Sequence, residues 1–462
     1  MKPFFAFAFL TAFLALPSAM GADLRVPADH ATIQAAIDRA SNGDRIVVAA
    51  GIYREHLKLK PGLTLVSEGD DTPGKLGLRR AEATIIDGGG KGESPGVTMA
   101  EGSVIDGFTV RNVGQYDDAL WQKHWEERGE NQNEIGGFSS PGIGADGVSC
   151  RITHCLVHHN GHTGIAIRGS KKNATHAIVT RNITFRNMGG GIGIMGGASG
   201  IIRGNRCFEN FHAGIGHSDQ AIPLVIGNEC YKNVRAGIGV SEGSSPVVRA
   251  NKCHHNRRAG IGIRTGAETR PVVEGNHCHH NGMAGIGSKE EAEPIIRNNR
   301  CEENEMAGIG AQLGARPLII GNQCIKNSQA GIGLREGCEG IIWNNRCTDN
   351  KLVAIGLPGK ARAIIADNNL SRAGGMPPLV AIRGGSEAIF VRNTLNGGGV
   401  AGVLLEGQAL FSGNTIKGAN EKFGQGIWLW KGSKAMAQAN QIDGFKRPIT
   451  VSEGASLIGE DR

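Results

Sequence analysis

Seven cysteines recur at near-constant spacing. Cys207, Cys230 and Cys253 lie 23 residues apart, Cys278 follows after 25, and Cys301, Cys324 and Cys347 return to 23. Around each stands one phrase, N-x-C-x-x-N-x-x-A-G-I-G, as in NRCFENFHAGIG and NECYKNVRAGIG, with a last copy reading NRCTDNKLVAIG. Between phrases sits an aliphatic pair such as Leu224-Val225, Val247-Val248 or Ile295-Ile296. Each unit thus holds short apolar runs with period-two alternation, broken by Asn and Gly, and has no room for a crossover helix. One such coil cannot bury its own apolar face. Stacked coils bury it and pair their backbones in parallel ladders. The repeat therefore predicts an all-β, single-stranded right-handed parallel β-helix, a solenoid rather than a set of globular domains.

Weaker copies extend the array both ways. VHHNGHTGIAI (157–167) and TFRNMGGGIGI (184–194) precede it, and segments beginning NNLSRAGG, NTLNGGG, NTIKGAN and NQIDGFK follow it. Ile46-Val47-Val48, Leu63-Thr64-Leu65 and Ile85-Ile86 read as degenerate coils further upstream. ATIQAAIDRA (31–40) has helical spacing, with Ile33, Ala36 and Ile37 on one face, and is expected to cap the open N-terminal end. Some fourteen coils are expected, a rod of about 65–70 Å. Composition agrees: Gly is 72 of 462 residues while aromatics are only 5%, without a collagen-like period.

The first 22 residues read as a signal peptide. Lys2 is the charged start, Phe4 to Leu16 form an apolar run, and Ala19-Met20-Gly21 offers a cleavage site. The expected product, residues 23–462, is secreted or periplasmic and has no transmembrane segment. Net charge of +7 permits an acidic polymer as ligand. No block of Lys and Arg interleaved with aromatics points to nucleic acid, and none is expected as a partner.

Stacking turns equal positions into columns. The cysteine column continues as Val157 and Thr184 upstream and as Leu370, Leu395, Ile416 and Ile442 downstream. That favours small apolar core filler over a metal or redox role. Two asparagine columns, through Asn205 and through Asn210, are expected at tight corners with amides bonded from coil to coil. In AGIG, inward isoleucines leave Gly216, Gly239, Gly262, Gly287, Gly310, Gly333 and Gly356 as a bare outward stripe. Such a stripe marks close approach of something to the backbone. Two residues on, the outward column carries Arg168, Arg264, Lys289 and Arg335, with Arg383, Trp428 and Trp430 toward the C-terminal end. These seven are the expected substrate-binding residues, since Arg forks onto carboxylates and Trp faces stack on sugar rings. A solvated charged face is the alternative. His254/His255 and His279/His280 are expected to stack about 5 Å apart. They sit in mixed columns, and no metal site is assigned there.

Residues 114–140 break the repeat, and long inserted loops are often functional. Trp121 and Trp125 are spaced for one side of a short helix. His124, Asp117 and Asp118 from this loop, with His162 from GHTG, are the expected acid/base groups. The alternative for the loop is a lid packed on two coils.

The repeats and the opening VPADHATIQAAIDRASNGDRIVVAAGIYREHLKLKPGLTLVSEG resemble the pectin-lyase-like superfamily of right-handed β-helices over nearly the whole chain. The opening looks like the start of pectin methylesterases, but their Gln-Asp-Thr-Leu, Asp-Phe-Ile-Phe-Gly and Leu-Gly-Arg-Pro-Trp signatures are absent. Ala145-Asp146-Gly147 and Gly161-His162-Thr163-Gly164 echo polygalacturonases, whose Asp pair and Arg-Ile-Lys are missing here. The mid-chain repeats resemble the generic repeat domains of alginate epimerases, of polysaccharide lyases and of the periplasmic accessory protein for nitrous oxide reductase copper maturation. The resemblance implies an exported protein that binds an acidic polysaccharide. If it is an enzyme, a lyase, epimerase or glycoside hydrolase is implied. The other class is a non-catalytic periplasmic or surface β-helix, a copper-delivery accessory protein included. No cofactor is named by the sequence.

Overall fold

The computed structural model describes residues 21–127, 139–169 and 175–459, so the signal-peptide reading lies almost wholly outside the described residues. The chain winds as a parallel solenoid with three long sheets of 18, 16 and 16 strands, in which each strand pairs with its counterpart one turn away. We call them by what they carry. The aliphatic sheet runs from Asp23–Val26 to Ser456–Gly459. The thiol sheet runs from Gly51–Tyr53 to Gln441–Asp443, and the glycine sheet from Leu57–Lys58 to Arg447–Val451. Eighteen rungs exceed the fourteen expected and give a rod of roughly 80 Å. The extra turns come from terminal coils whose sequences have lost the Asn and Cys marks.

The register is the one the repeat demands. Cys207 pairs with Cys230, Cys230 with Cys253, and so on to Cys347, which pairs with Leu370. All ten cysteines are free thiols and buried. Burial raises the Cys155 thiol to about 12, which leaves it protonated and inert as a nucleophile.

Two amide ladders run beside this column. Asn233 Nδ2 donates to Asn256 Oδ1 at 3.0 Å and to the Cys207 carbonyl at 3.0 Å. The Asn233 backbone N–H also donates to Asn256 Oδ1. The same pattern recurs from Asn160 to Asn350, and in a second ladder from Asn182 to Asn440. The tight corner falls one residue earlier than expected: Glu209, Lys232, His255 and His280, not the asparagines, take the left-handed conformation (φ 51 to 54°). The asparagines hold the turn by amide bonding instead.

Helix α1 (Ile33–Arg39) forms where helical spacing predicts it, with Ile33, Ala36 and Ile37 buried against the first strands. Its N-terminal amides are held by Thr32 Oγ1 on Ala35 and by the Glu55 carboxylate on Ile33 and Gln34. A five-residue helix, α2 (Arg79–Ala83), follows, and α3 (Asp118–Glu126) lies in the inserted loop, of which 128–138 are outside the described residues.

The inward columns are not wholly apolar: Ser288 and Thr184 are buried in them, and one position holds an ionisable ring. His217 stands between Ile194 and Val240 in an inward column and is 2% exposed. Its Nδ1 donates to the Gly239 carbonyl, Nε2 has no partner, and burial lowers its pKa to about 4. The folded pKa lies below the unfolded value near 6.5, so the unfolded chain takes up the proton first. Stability is therefore full above about pH 6.5 and is lost as pH falls toward 4. For this one group the loss at pH 4.5 is on the order of 2 kcal/mol. In denaturant melts, His217→Val is expected to gain on the parent as pH drops from 7 to 4.5. Parallel pH curves for the two proteins would refute this assignment.

Candidate functional site

The two glycines of each AGIG are there for different reasons. A Cβ placed on Gly214 would sit 2.9 Å from the Gly237 carbonyl and 2.9 Å from the Asn233 amide, so the fold itself requires that glycine. A Cβ on Gly216 would meet nothing within 4 Å, and on Gly239 and Gly262 only an alanine methyl at 3.5 and 3.6 Å. Packing does not require the second glycine. Its column stays bare toward the outside, while Ile215, Ile238, Ile261 and Ile286 point into the core.

That bare column, with Ala213, Ala236, Ala259, Ala284 and Ala307 beside it, floors a groove of about 690 Å³ along the glycine sheet. One wall holds Ser218, Ser241, Arg264, Lys289, Gln312 and Arg335. The other holds His212, Arg235, Arg258, Met283, Met306 and Gln329, stacked one rung apart. The only carboxylate among the lining residues is that of Glu242. Burial, and then the charges of Arg258 and Arg264, lower the Arg235 pKa to about 10, and its Nη2 is buried without a hydrogen-bond partner among the described residues. The groove is thus a net positive slot, its cations on both walls offset in part by Glu242 and by Glu290 beside Lys289.

At the N-terminal end of this wall stands His212, whose Nε2 is buried and unpartnered. Burial, followed by Arg235, His162, Arg264 and His124, lowers its pKa to about 3, so the ring is neutral at pH 7. His162 lies two rungs away in the same column, across the side-chain gap left by Gly189. Its Nδ1 is also buried without a partner.

Of the residues singled out from the sequence, Arg264, Lys289 and Arg335 line the groove, Lys289 with its Nζ 2.6 Å from Glu290. Arg168 shares their column but lies outside the lining, one rung before Met195. Arg383 is further along, paired with Glu406 at 3.0 Å. Trp428 and Trp430 pack edge to face at 4.7 Å near the C-terminal end, Trp428 Nε1 donating to Ser452. They do not reach the groove.

The inserted loop lies along the corner beside it. Trp121 packs on Met188, Phe211 and Val234 from three successive turns, stacks on Trp125 at 5.4 Å and donates to the Glu209 carbonyl. Asp117 caps α3 by accepting from the Leu120 N–H. Asp118 accepts from Arg186 at 2.6 Å and from Tyr116. His124 lies on the buried side of α3 with its ring 4.6 Å from Phe211. The structure therefore brings His124 and His162 close enough to His212 to act on its charge, and turns Asp117 and Asp118 to holding the loop.

His212, Arg235 and Arg258 were not singled out from the sequence. Their signal was the residue before the alanine in each phrase, which reads His, Arg, Arg, Met, Met, Gln in register.

The histidine pairs do stack, His254 on His279 at 4.9 Å and His255 on His280 at 5.1 Å. They end a ring ladder, His158–Phe185–Phe208–Tyr231–His254–His279, on the outside of the thiol sheet. The ring faces within the ladder are covered by their neighbours and are not open to a sugar. Among the described residues no three His, Cys, Asp or Glu side chains are placed to hold one metal ion. No helix among them is long and apolar enough to cross a membrane.

The model of the family described as right handed beta helix region matches residues 130–270 and 262–377. Among solved structures, the chain is similar to the periplasmic alginate epimerase AlgG at 14% identity, covering 79% of this chain and 82% of that one, with a TM-score of 0.43. It is similar to the Azotobacter vinelandii mannuronan C-5 epimerase AlgE4 A-module at 15% identity, 92% and 94% coverage, TM-score 0.33. The catalytic unit of the GH87 alpha-1,3-glucanase of Streptomyces thermodiastaticus strain HF3-3 matches at 13% identity, 82% and 64% coverage, TM-score 0.44. No curated protein matches by sequence.

Proposed function

This chain belongs to the right-handed β-helix family, and we propose that it is an exported protein that binds an extended acidic polysaccharide along the glycine-sheet groove. The observation that carries this reading is the pairing of a floor that packing does not require to be bare with cations on both walls. Each rung advances about 4.8 Å, close to one pyranose unit of an extended chain. Arg235 and Arg258 on one wall, and Arg264, Lys289 and Arg335 on the other, then meet successive uronate carboxylates with charge-assisted hydrogen bonds. Arg168, Arg383, Trp428 and Trp430 extend the same face beyond the groove and serve a longer chain at its ends.

A second reading adds chemistry at one end of the groove. The neutral His212, with its Nε2 open beside Arg235, is placed to take a proton alpha to a uronate carboxylate once the bound carboxylate offsets the cations that help hold its pKa low, while a guanidinium steadies the enolate. His162 and His124 are the remaining acid/base groups within electrostatic reach. Return of a proton to the opposite face of C5 would complete epimerisation, whereas cleavage of the C4–oxygen glycosidic bond, with a proton delivered to the leaving oxygen, would complete β-elimination. Asp117 and Asp118 act in this scheme by fixing α3 over the corner.

A panel of polyuronates, sulfated glycans and neutral glucans tests both readings by calorimetry, with ultraviolet absorbance reporting unsaturated products. Binding of polyuronate that weakens with salt is expected. Equal affinity for neutral glucan contradicts the binding reading. Polyuronate binding with no unsaturated product and no exchange of the C5 proton removes the catalytic reading and leaves a carrier or scaffold. A copper-delivery role would instead show as stoichiometric copper in untagged protein.

A further inference from the structure

The aliphatic sheet presents an outward column of the same kind on every rung from Ile178 to Ile458. Its middle and end are open to solvent: Ile341 is 41% exposed, Ile364 41%, Ile389 44%, Met436 46% and Ile458 63%. Twelve steps of about 4.8 Å make a strip near 58 Å long, which with its flanks reaches the scale of about 800 Å² per partner that stable pairs of proteins bury. An apolar strip of that size marks an interaction surface.

The flank two residues before this column decides what covers it. Over six successive rungs it reads Arg270, Glu293, Arg316, Glu339, Arg362, Glu387, each ion-paired to the next along the chain's own ladder. An even run of alternating charge matches its own reversed copy. Turn a second chain antiparallel about a two-fold axis between the Arg316 and Glu339 rungs. Arg316 then faces Glu339, Glu293 faces Arg362, and Arg270 faces Glu387. The same operation sets Leu318 against Ile341, Ile295 against Ile364 and Val272 against Ile389. On the other flank it sets Ile320 beside Trp343, which is 47% exposed, and opposes no like charges.

We propose that this face is a homodimer interface, two rods lying antiparallel with their aliphatic sheets about 10 Å apart. The glycine-sheet groove of each chain is on a different face and stays open, so the inference stands apart from the glycan reading.

Sedimentation equilibrium of the purified chain is expected to give twice the chain mass at micromolar concentration. Arg316→Glu places Glu opposite Glu339 at both symmetric positions and is expected to weaken the dimer at least tenfold. The swap R316E/E339R restores opposite charges across the axis and is expected to recover most of that loss. Each variant carries two like-charge contacts within the chain, one at Glu293 in both and the other at Glu339 in the single variant or at Arg362 in the swap, so a folding defect in either shows in its melting temperature. Ile341→Arg with Ile364→Arg, on an exposed surface, is expected to give a folded monomer. A parent protein that is folded and monomeric at 50 µM overturns the proposal. So does a swap variant as weak as the single one, and so does a monomer that takes a glycan or another protein on this face.

Discussion

Charge reversal at Arg235 and Arg264 together is expected to lower polyuronate affinity by at least a hundredfold. Among the described residues Arg235 has no acidic partner, and burial, then the neighbouring guanidinium charges, already depress its pKa. Removing its charge therefore breaks no ion pair in the free protein and relieves repulsion from Arg258 and Arg264. In the complex, each charge-assisted hydrogen bond to a carboxylate is worth about 1.5–3 kcal/mol, and about 1.4 kcal/mol is tenfold in affinity. Losing two such contacts, before any new repulsion from Glu, already reaches the hundredfold range. Arg235→Gln separates the terms, since it removes the contact without adding a negative charge. Calorimetry at low salt measures both. An R235E/R264E protein that binds like the parent would place the ligand elsewhere.

Asn256→Ala is expected to destabilise the rod by about 3–5 kcal/mol, one of the largest single-residue effects available outside the apolar core. The Asn256 amide donates to the Cys230 carbonyl and to Asn281 Oδ1, and its own Oδ1 accepts from both the backbone and the side chain of Asn233. The residue is 1% exposed, so water cannot replace these partners. Truncation leaves a buried carbonyl, a buried backbone N–H and two neighbouring amides short of a bond, each an unpaired polar group in a dry interior. Asn440, at the far end of the other ladder, is half-buried and donates to Phe411 and Gln438 carbonyls. Its truncation is expected to cost about 1–2 kcal/mol, because the last rung is reached by solvent. Denaturant melts compare the two. Equal costs at both positions would mean that the ladders are solvated along their whole length.

The architecture was legible because the repeat period is long-range information written locally. Once Cys207, Cys230 and Cys253 are taken as one column, sidedness follows from strand alternation, and the core isoleucines and bare glycines follow from that. The sequence pattern also pointed to the groove floor and to Arg264, Lys289 and Arg335. The opposite wall was hidden by the corner, where alternation fails. Whether His212, Arg235 and Arg258 face outward depends on how the turn after each Asn is bent, and that bend is set by the residue before the Asn. The loop 114–140 carried the helical spacing of Trp121 and Trp125, which α3 bears out, but nothing to place that helix on the rod. Its contacts with Met188, Phe211 and Val234 come from three turns far along the chain, so the use of Asp118 to pair Arg186 was not readable. His217 was missed for the opposite reason: the column logic predicts an apolar residue there, and only the fold shows an imidazole buried in its place.

An acidic glycan bound by this protein is expected to lie in the glycine-sheet groove. Arginine-selective modification by phenylglyoxal, read by mass spectrometry with and without a saturating uronate oligosaccharide, tests this on the unaltered protein. Protection of Arg235, Arg258, Arg264 and Arg335 is predicted, with Arg316 and Arg362 on the aliphatic sheet labelled equally in both conditions. Protection confined to arginines outside the glycine sheet, or an unchanged pattern at a concentration where calorimetry shows the oligosaccharide bound, would contradict it.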